Sequence, residues 1–284
     1  MSETLTSNGR VLPAAAIAQY REAGWYAPLN VLASDEAVAL RARLEAHERA
    51  SGGPLAGAMR HKCHLLFTWL WDLVHDRRIV DAVEDVLGPN LLCWSSSFFI
   101  KEAHDPGFVS WHQDATYWGL SSPEVMTVWL ALSPSTIEAG AMQVVPGTHR
   151  RQFAHRDTFN EHNLLTRGQE VEVAVDPRDA VPLVLAPGQA SLHHVLLVHG
   201  SEPNRSDDRR IGLALRYIPT HVRQVAGARD SATLVRGVDT FRHFDHELAP
   251  ESDLAPAAVA RHAAITAAQA ATLYRGTDKQ TFRA

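Results

Sequence analysis

Cysteine is scarce in this chain. Only Cys63 and Cys93 occur, too few for a disulfide framework, and a reducing cytoplasm suits such a chain. Long apolar runs are also missing. No stretch approaches the length of a transmembrane helix. Met1-Ser2-Glu3-Thr4 has neither the basic n-region nor the apolar h-region of a secretory signal. Positive charge is not in excess: the net charge is -5 with His neutral. The basic run His149-Arg150-Arg151 is short and reads as a solvated loop, so no nucleic-acid partner is expected. Internal repeats and low-complexity linkers are absent too. These absences leave the expectation of a cytoplasmic protein that acts on a small molecule, with no membrane partner.

What is present is enough for a sizeable core. The chain has 284 residues, 45% hydrophobic and 21% charged, an ordinary balance for a globular protein. The first third reads as helical. Ser34 can cap a helix, Asp35 and Glu36 suit its N-terminal dipole, and Leu40 and Leu44 share a face. Ser51-Gly52-Gly53-Pro54 stops it. A second helix is expected from Asp76 to Leu87, ended by Gly88-Pro89.

The middle reads as strands. Runs are expected at Leu91 to Ile100, Val125 to Leu132, Ala141 to Val145, Val171 to Val175, Val181 to Leu185, Ala190 to Val198 and Ile211 to Ile218. Each is bounded by Pro, Gly, Asn or Asp. Many short strands with such punctuation predict a sandwich or barrel. The Ala-rich stretch from Pro256 to Leu273 reads as a helix. The expectation is a single domain over residues 1–284, mainly β with flanking helices. It has a jelly-roll core at about 91–220, a helical N-terminal layer at about 13–88 and a helical tail at about 250–275.

Histidine is abundant, with sixteen residues. The triplet His-x-Asp occurs three times, at His112-Gln113-Asp114, His155-Arg156-Asp157 and His243-Phe244-Asp245. Context selects the first. Residues i and i+2 of a strand project from one face, so His112 and Asp114 can aim at one ion. Trp111, Tyr117 and Trp118 would help to keep such a pocket dry. His155 and Asp157 sit in a polar stretch and read as a solvated loop. His243 and Asp245 follow the last good strand. His193 and His194 read as structural, with one of them pointing outward. A third ligand is expected from His199, at the end of the apolar run Val195-Leu196-Leu197-Val198. Two histidines and one carboxylate form a facial triad with open positions, the geometry of non-haem iron(II) oxygenases.

Such an oxygenase needs two electrons beyond those its substrate gives, and 2-oxoglutarate can supply them. Its distal carboxylate needs a buried cation, and an arginine fork fits best. Eleven residues after His199 lies Arg210. Alternation places Arg210, Gly212 and Ala214 on one face, and Ile211, Leu213 and Leu215 on the other. Small residues beside a buried charge leave room for a ligand.

These residues resemble the phytanoyl-CoA dioxygenase family of iron(II)/2-oxoglutarate oxygenases. The resemblance covers most of the chain. It begins near Tyr20-Arg21-Glu22-Ala23-Gly24-Trp25 and runs through Trp111-His112-Gln113-Asp114. It continues through Gly140-Ala141-Met142-Gln143-Val144-Val145-Pro146-Gly147-Thr148-His149 and ends with His199-Gly200-Ser201 through Arg210. It implies a double-stranded β-helix, the cupin-like form of the jelly roll. It implies iron ligation by His112, Asp114 and His199, and 2-oxoglutarate binding by Arg210 with Ser201 as a hydroxyl partner. Trp129 matches a pocket-lining aromatic, Lys101 a polar strand residue near the cosubstrate, and His149 a turn element. Some relatives are halogenases with Gly or Ala in place of the carboxylate. This chain keeps Asp114, so hydroxylation or another halide-free oxidation of a small molecule by O2 is expected, with release of succinate and CO2. Phe99, Tyr117 and Trp118 are the candidate substrate wall. Two other readings share the triad: a cupin-type metal-dependent hydrolase or isomerase, and a non-catalytic sensor of iron or a small acid. The first leaves Arg210 unexplained, and the intact triad argues against the second.

Overall fold

The computed structural model describes residues 10–279, 281 and 282. The Met1-Ser2-Glu3-Thr4 stretch lies outside the described residues. In chain order the elements are α1 (Ala14–Ala23), β1 (Trp25–Asn30), α2 (Ser34–Ser51), α3 (Thr68–Val74) and α4 (Arg77–Leu87). Then follow β2 (Leu91–Lys101), β3 (Val109–His112), β4 (Met126–Ala131), β5 (Met142–Val145), β6 (His155–Asp157), β7 (Gln169–Val171) and β8 (Val181–Pro182). The chain finishes with β9 (Gln189–His194), β10 (Val198–Ser201), β11 (Arg210–Pro219), β12 (Ser231–Arg236), β13 (Asp245–His246) and α5 (Pro256–Leu273).

The strands form a jelly roll. The larger sheet runs β1-β9-β4-β11-β2-β12-β13, the smaller β3-β10-β5-β8, and β6 pairs with β7. Apart from the parallel β12–β13 pair, the pairings within these sheets are antiparallel. The larger sheet shows why α1 to α4 sit where they do. Its outer face carries Phe98 and Ile100 of β2, Val128 and Leu130 of β4, and Ile211, Leu213, Leu215 and Tyr217 of β11. These pack against Ile17 and Tyr20 of α1, Leu44 of α2, Leu70 and Leu73 of α3, and Ile79, Val80 and Val83 of α4. Burying that many aliphatic and aromatic side chains, each worth about 1.5–3 kcal/mol, fixes the register of β11. A one-residue slip would turn Arg210 and Arg216 into this apolar layer. The inner face is smaller and more polar. Trp129, Ala131 and Ala214 meet Met142 and Val144 of β5 there.

Helix ends follow local chemistry. Asp76 accepts from the Arg78 amide and caps α4. Ser34 does not cap α2 but opens it; Glu36 reaches back to the Ala33 amide at 2.8 Å instead. Gly52, at φ 78°, closes α2 in the left-handed region.

Several expected elements differ. The N-terminal third is not wholly helical, because β1 pairs with β9 at the edge of the larger sheet. The run Ala190 to Val198 is two strands, broken where the Leu197 amide turns back to the His194 carbonyl. Val171 to Val175 shrinks to the end of β7, and Val181 to Leu185 to the two residues of β8. Beyond residue 220, β12 extends the larger sheet by pairing with β2.

Candidate metal centre and its two cavities

The centre is built where β3 meets β10. His199 and His112 are direct cross-strand partners. β3 ends at His112, so Asp114 is not on the strand as expected. Gln113 stays extended, at φ -114° and ψ 136°, which keeps Asp114 on the His112 side before the chain tightens into a helical turn. Gln113 pins this geometry. Its side-chain amide donates to the carbonyls of Leu196 at 2.6 Å and Arg151 at 2.8 Å, and its oxygen accepts from the Phe153 amide at 2.7 Å. The ligand atoms of His112, Asp114 and His199 all lie within 4.8 Å of one another, and all three residues are buried.

Hydrogen bonds set the tautomers. Nδ1 of His112 lies 2.9 Å from the Ser110 carbonyl and 3.1 Å from that of His199. Nδ1 of His199 lies 2.8 Å from the Leu197 carbonyl. A carbonyl can only accept, so each Nδ1 bears a proton, and Nε2 is the atom that each ring offers to a metal. Nε2 of His112 stands 3.3 Å from Asp114 Oδ1. Burial would raise the Asp114 carboxyl, but His112, His199 and Arg216 hold it well below the usual range. Burial, with His112 beside it, pushes His199 down to about 4. A carboxylate and neutral imidazoles are the protonation states that bind metal.

A small cavity surrounds these residues. Among its lining groups are Thr127, Trp129, His193, Ser201, Arg210 and Arg216. Arg210 is 2% exposed. Its Nη1 donates to the Gly140 carbonyl at 2.5 Å, and its Nε has no partner. Burial lowers its pKa to about 10. The space expected over Gly212 is already filled. A Cβ on Gly212 would lie 1.9 Å from the Trp129 ring, and that ring sits 5.3 Å from the Arg210 guanidinium carbon. Gly212 is small for the indole, not for a ligand. Lys101 lies on β2 beside this cavity. Its ammonium does not line the cavity but holds Ser201 from behind, 2.8 Å from Oγ, and also meets the Glu202 carbonyl.

A larger cavity of about 160 Å³ adjoins Asp114. Phe99, Tyr117 and Trp118 all line it, and Phe99, Asp114 and Arg216 line both cavities. Tyr117 packs under Arg167, 4.0 Å from ring centre to guanidinium carbon.

Sequence reasoning missed Arg216, Thr127 and Gln113. Arg216 was within reach, since it continues the Arg210, Gly212, Ala214 face by one more step of two. Thr127, with a buried and unpartnered Oγ1, has no signal in an apolar run. Some neighbours read differently than expected. Trp111 points away from the centre and packs against Gly200. His155 is not solvated: on β6 it accepts from the Gln113 amide at 2.9 Å, while Asp157 pairs with Arg167. His193 faces His199 across 4.9 Å, with its Nδ1 unpartnered, so it is not a satisfied structural histidine. His194 turns towards His149 and Tyr20. His243 stacks on Phe241 and Asp245 pairs with Arg229, so the third triplet is no cluster.

Fold and centre together define a jelly-roll protein with a two-histidine, one-carboxylate metal site between its sheets. The chain belongs to the phytanoyl-CoA dioxygenase family, whose model, described as Phytanoyl-CoA dioxygenase (PhyH), matches residues 20–212. It is 32% identical over 157 residues to a "Probable alpha-ketoglutarate-dependent hypophosphite dioxygenase" of Stutzerimonas stutzeri, covering 54% of each chain. It thus spans about half the length of that relative. A solved structure of the non-heme monooxygenase ThoJ, in its apo form, shares 35% identity over 91% of this chain and 97% of its own, with a TM-score of 0.80. CytC3 with Fe(II) and alpha-ketoglutarate shares 25% identity over 87% of this chain and 98% of its own, with a TM-score of 0.62.

Proposed function

We propose that this protein is an iron(II)/2-oxoglutarate-dependent oxygenase that hydroxylates, or otherwise oxidises without halide, a small-molecule substrate. The observation that carries the reading is one cavity holding both the triad of His112, Asp114 and His199 and the unneutralised Arg210. The donor set suits iron(II), with two imidazoles, one carboxylate and open positions. Arg210 suits a cosubstrate carboxylate, because a buried guanidinium with a free Nε and no acid beside it is costly until an anion arrives. When bound, iron and 2-oxoglutarate supply the oxidising chemistry: cosubstrate decarboxylation activates oxygen for attack on a substrate C–H or comparable bond.

The chain's own residues do the rest. Nδ1 hydrogen bonds aim the two imidazoles. Gln113 fixes the turn that presents Asp114. Lys101 orients the Ser201 hydroxyl as a second contact for the cosubstrate carboxylate. Trp129 walls Arg210 from water. Phe99, Tyr117 and Trp118 shape the adjoining cavity where the substrate is held. A small substrate fits that volume, and the hypophosphite relative points the same way. Free, buried Cys63 and Cys93 suit a reducing cytoplasm. No helix of the described residues is long and apolar enough to cross a membrane. The test is succinate release with iron(II), ascorbate and 2-oxoglutarate, screened over candidate small molecules. Substrate-stimulated succinate is the expected result. Metal binding with no consumption of 2-oxoglutarate for any candidate would favour the hydrolase or sensor readings.

A further inference from the structure

Three arginines among the described residues are more than nine-tenths buried: Arg167, Arg210 and Arg216. Arg167 is neutralised by Asp157. Arg210 and Arg216 are not paired with any acid in this way, and both point between the sheets. A guanidinium kept in such a place without a counter-charge is a site built for an anion. Arg210 lines only the smaller cavity, and the cosubstrate reading already gives it one. Arg216 remains.

Arg216 lies three strand steps of two beyond Arg210, on the same face of β11. It is 7% exposed. Nη1 donates to Ser97 Oγ at 3.0 Å, and Nε is buried without a partner. The acid that acts on it through space is Asp114, a member of the metal set. Two aromatic rings flank it, Trp118 at 5.1 Å and Phe99 at 5.9 Å. They hold the fork in place and exclude water from it. Arg216 borders both cavities, and the larger one, about 160 Å³ and also lined by Asp114, has the room for an anion on its fork. A second cation, Arg60, also lines this cavity, with its Nε spent on the Leu55 carbonyl. Glu161, the other acid among its lining residues besides Asp114, is exposed to solvent.

We propose that Arg216 holds an anionic group of the substrate, a carboxylate or a phosphorus oxyanion, in the larger cavity beside the metal centre. The substrate is therefore a small acid whose reacting bond is placed by its own charge. This rests on the reading of the triad and Arg210 given above. A carboxylate on Arg216 could also come from 2-oxoglutarate itself, so the test separates the two sources.

The full chain is loaded with redox-inert Ni(II), with and without 2-oxoglutarate, and binding is followed by tryptophan fluorescence, since Trp94 and Trp118 line the cavity. The probes are benzoate and phenylphosphinate, with benzamide as the uncharged counterpart. In the wild type both anions are expected to bind at least about tenfold tighter than benzamide, in line with a buried charge pair. Arg216→Met should erase that preference and leave 2-oxoglutarate affinity within about threefold, whereas Arg210→Met should lose 2-oxoglutarate. Arg216→Lys keeps the charge without the fork, and should weaken benzoate at least about threefold with benzamide unchanged. It also covers the case in which the Met variant does not fold. Three results would each overturn the proposal: no anion preference in the wild type, an anion affinity unchanged in both Arg216 variants, or a loss of 2-oxoglutarate in Arg216→Met as large as in Arg210→Met. Failure of the underlying reading looks different. The wild type would then bind no 2-oxoglutarate, while the anion preference is still read on the Ni(II) form.

Discussion

Arg210 and Lys101 are cross-strand partners on β11 and β2, and neither meets a carboxylate. Two cations side by side in an interior are unfavourable, and the structure resolves this unevenly. Burial and the nearby Arg210 push the Lys101 ammonium down to about 6, whereas Arg210 stays near 10. The two side chains also part in direction: Lys101 is spent on Ser201 and the Glu202 carbonyl, while Arg210 turns its unpartnered Nε towards the small cavity.

Arg210→Ala should therefore cut 2-oxoglutarate affinity over a hundredfold, which corresponds to about 3 kcal/mol or more for a buried charge left unpaired. Its neighbour is the control. Arg209 points the opposite way, to Glu48 of α2 at 2.6 Å and Glu102 at 2.6 Å. It is thus an ion-paired charge on the helix side of the sheet. Arg209→Ala should lower the melting temperature yet change the 2-oxoglutarate dependence of succinate release by only a few-fold. A large affinity loss in Arg209→Ala with none in Arg210→Ala would reverse the assignment.

Iron binding gives a second check. His112→Ala and His199→Ala each remove one of three donors that lie within 4.8 Å, so both should lose most iron(II) affinity and turnover. Asp114→Ala should lose most succinate formation, because the acid is the triad's one charge. Equilibrium dialysis of iron(II) measures the first effect. Wild-type affinity in both histidine variants would rule out the centre.

The parts of this molecule that could be read in advance are those set by local periodicity. Parity along β11 put Arg210 opposite Ile211 and Leu213, and the larger sheet has that arrangement. Asp114 kept its side because Gln113 remains extended, which parity also required. What escaped depended on distant partners. Val195 to Val198 is apolar throughout, so nothing in its composition marks the turn at Leu197, which is set by backbone and His194 contacts. β1 contains Pro28, reads poorly as a strand, and exists because β9 offers it an edge. Gly212 looked like space for a ligand because no periodicity reveals that an indole two residues along on the neighbouring strand leans over it.

Acid should unfold the protein partly through Glu247. Its carboxylate is buried against Lys62 Nζ at 2.5 Å and His64 Nε2 at 3.1 Å, and accepts from Ser231 and Thr233. Burial alone would raise it, but Lys62 and His64 hold it well below its ordinary value of 4.5. The stabilisation is therefore full above about pH 4.5 and drains away as pH falls further. Lys62 is raised by Glu247 and Asp230 against its burial, so its share is lost only as pH climbs past 10.5. Glu247→Gln leaves a buried lysine without its main partner and should cost about 3–5 kcal/mol at pH 7. Urea unfolding from pH 7 to pH 3 should show the difference between the two proteins shrinking. A constant difference would mean that charge is not what Glu247 contributes.

The contact between Gly212 and Trp129 makes the sharpest claim about packing. Glycine in a strand is a liability, and replacing it with alanine at a compatible site stabilises a protein by about 0.4–1 kcal/mol. Gly212 has no left-handed backbone to forbid the change. Yet a Cβ there would meet the Trp129 ring at 1.9, 2.3 and 2.6 Å, so the indole must move. Both of its exits matter. Towards the small cavity it takes cosubstrate space, and away from it the ring leaves Arg210. Gly212→Ala should therefore destabilise by about 1–3 kcal/mol, as overpacking does, and weaken 2-oxoglutarate at least about tenfold. Trp129→Phe in the same chain shortens the ring that collides. The double variant should recover part of the stability lost by Gly212→Ala, giving a coupling of about 0.5 kcal/mol or more between the two positions. Additive effects, or an alanine that stabilises, would mean that the indole does not rest on residue 212 and that the wall beside Arg210 is not built this way.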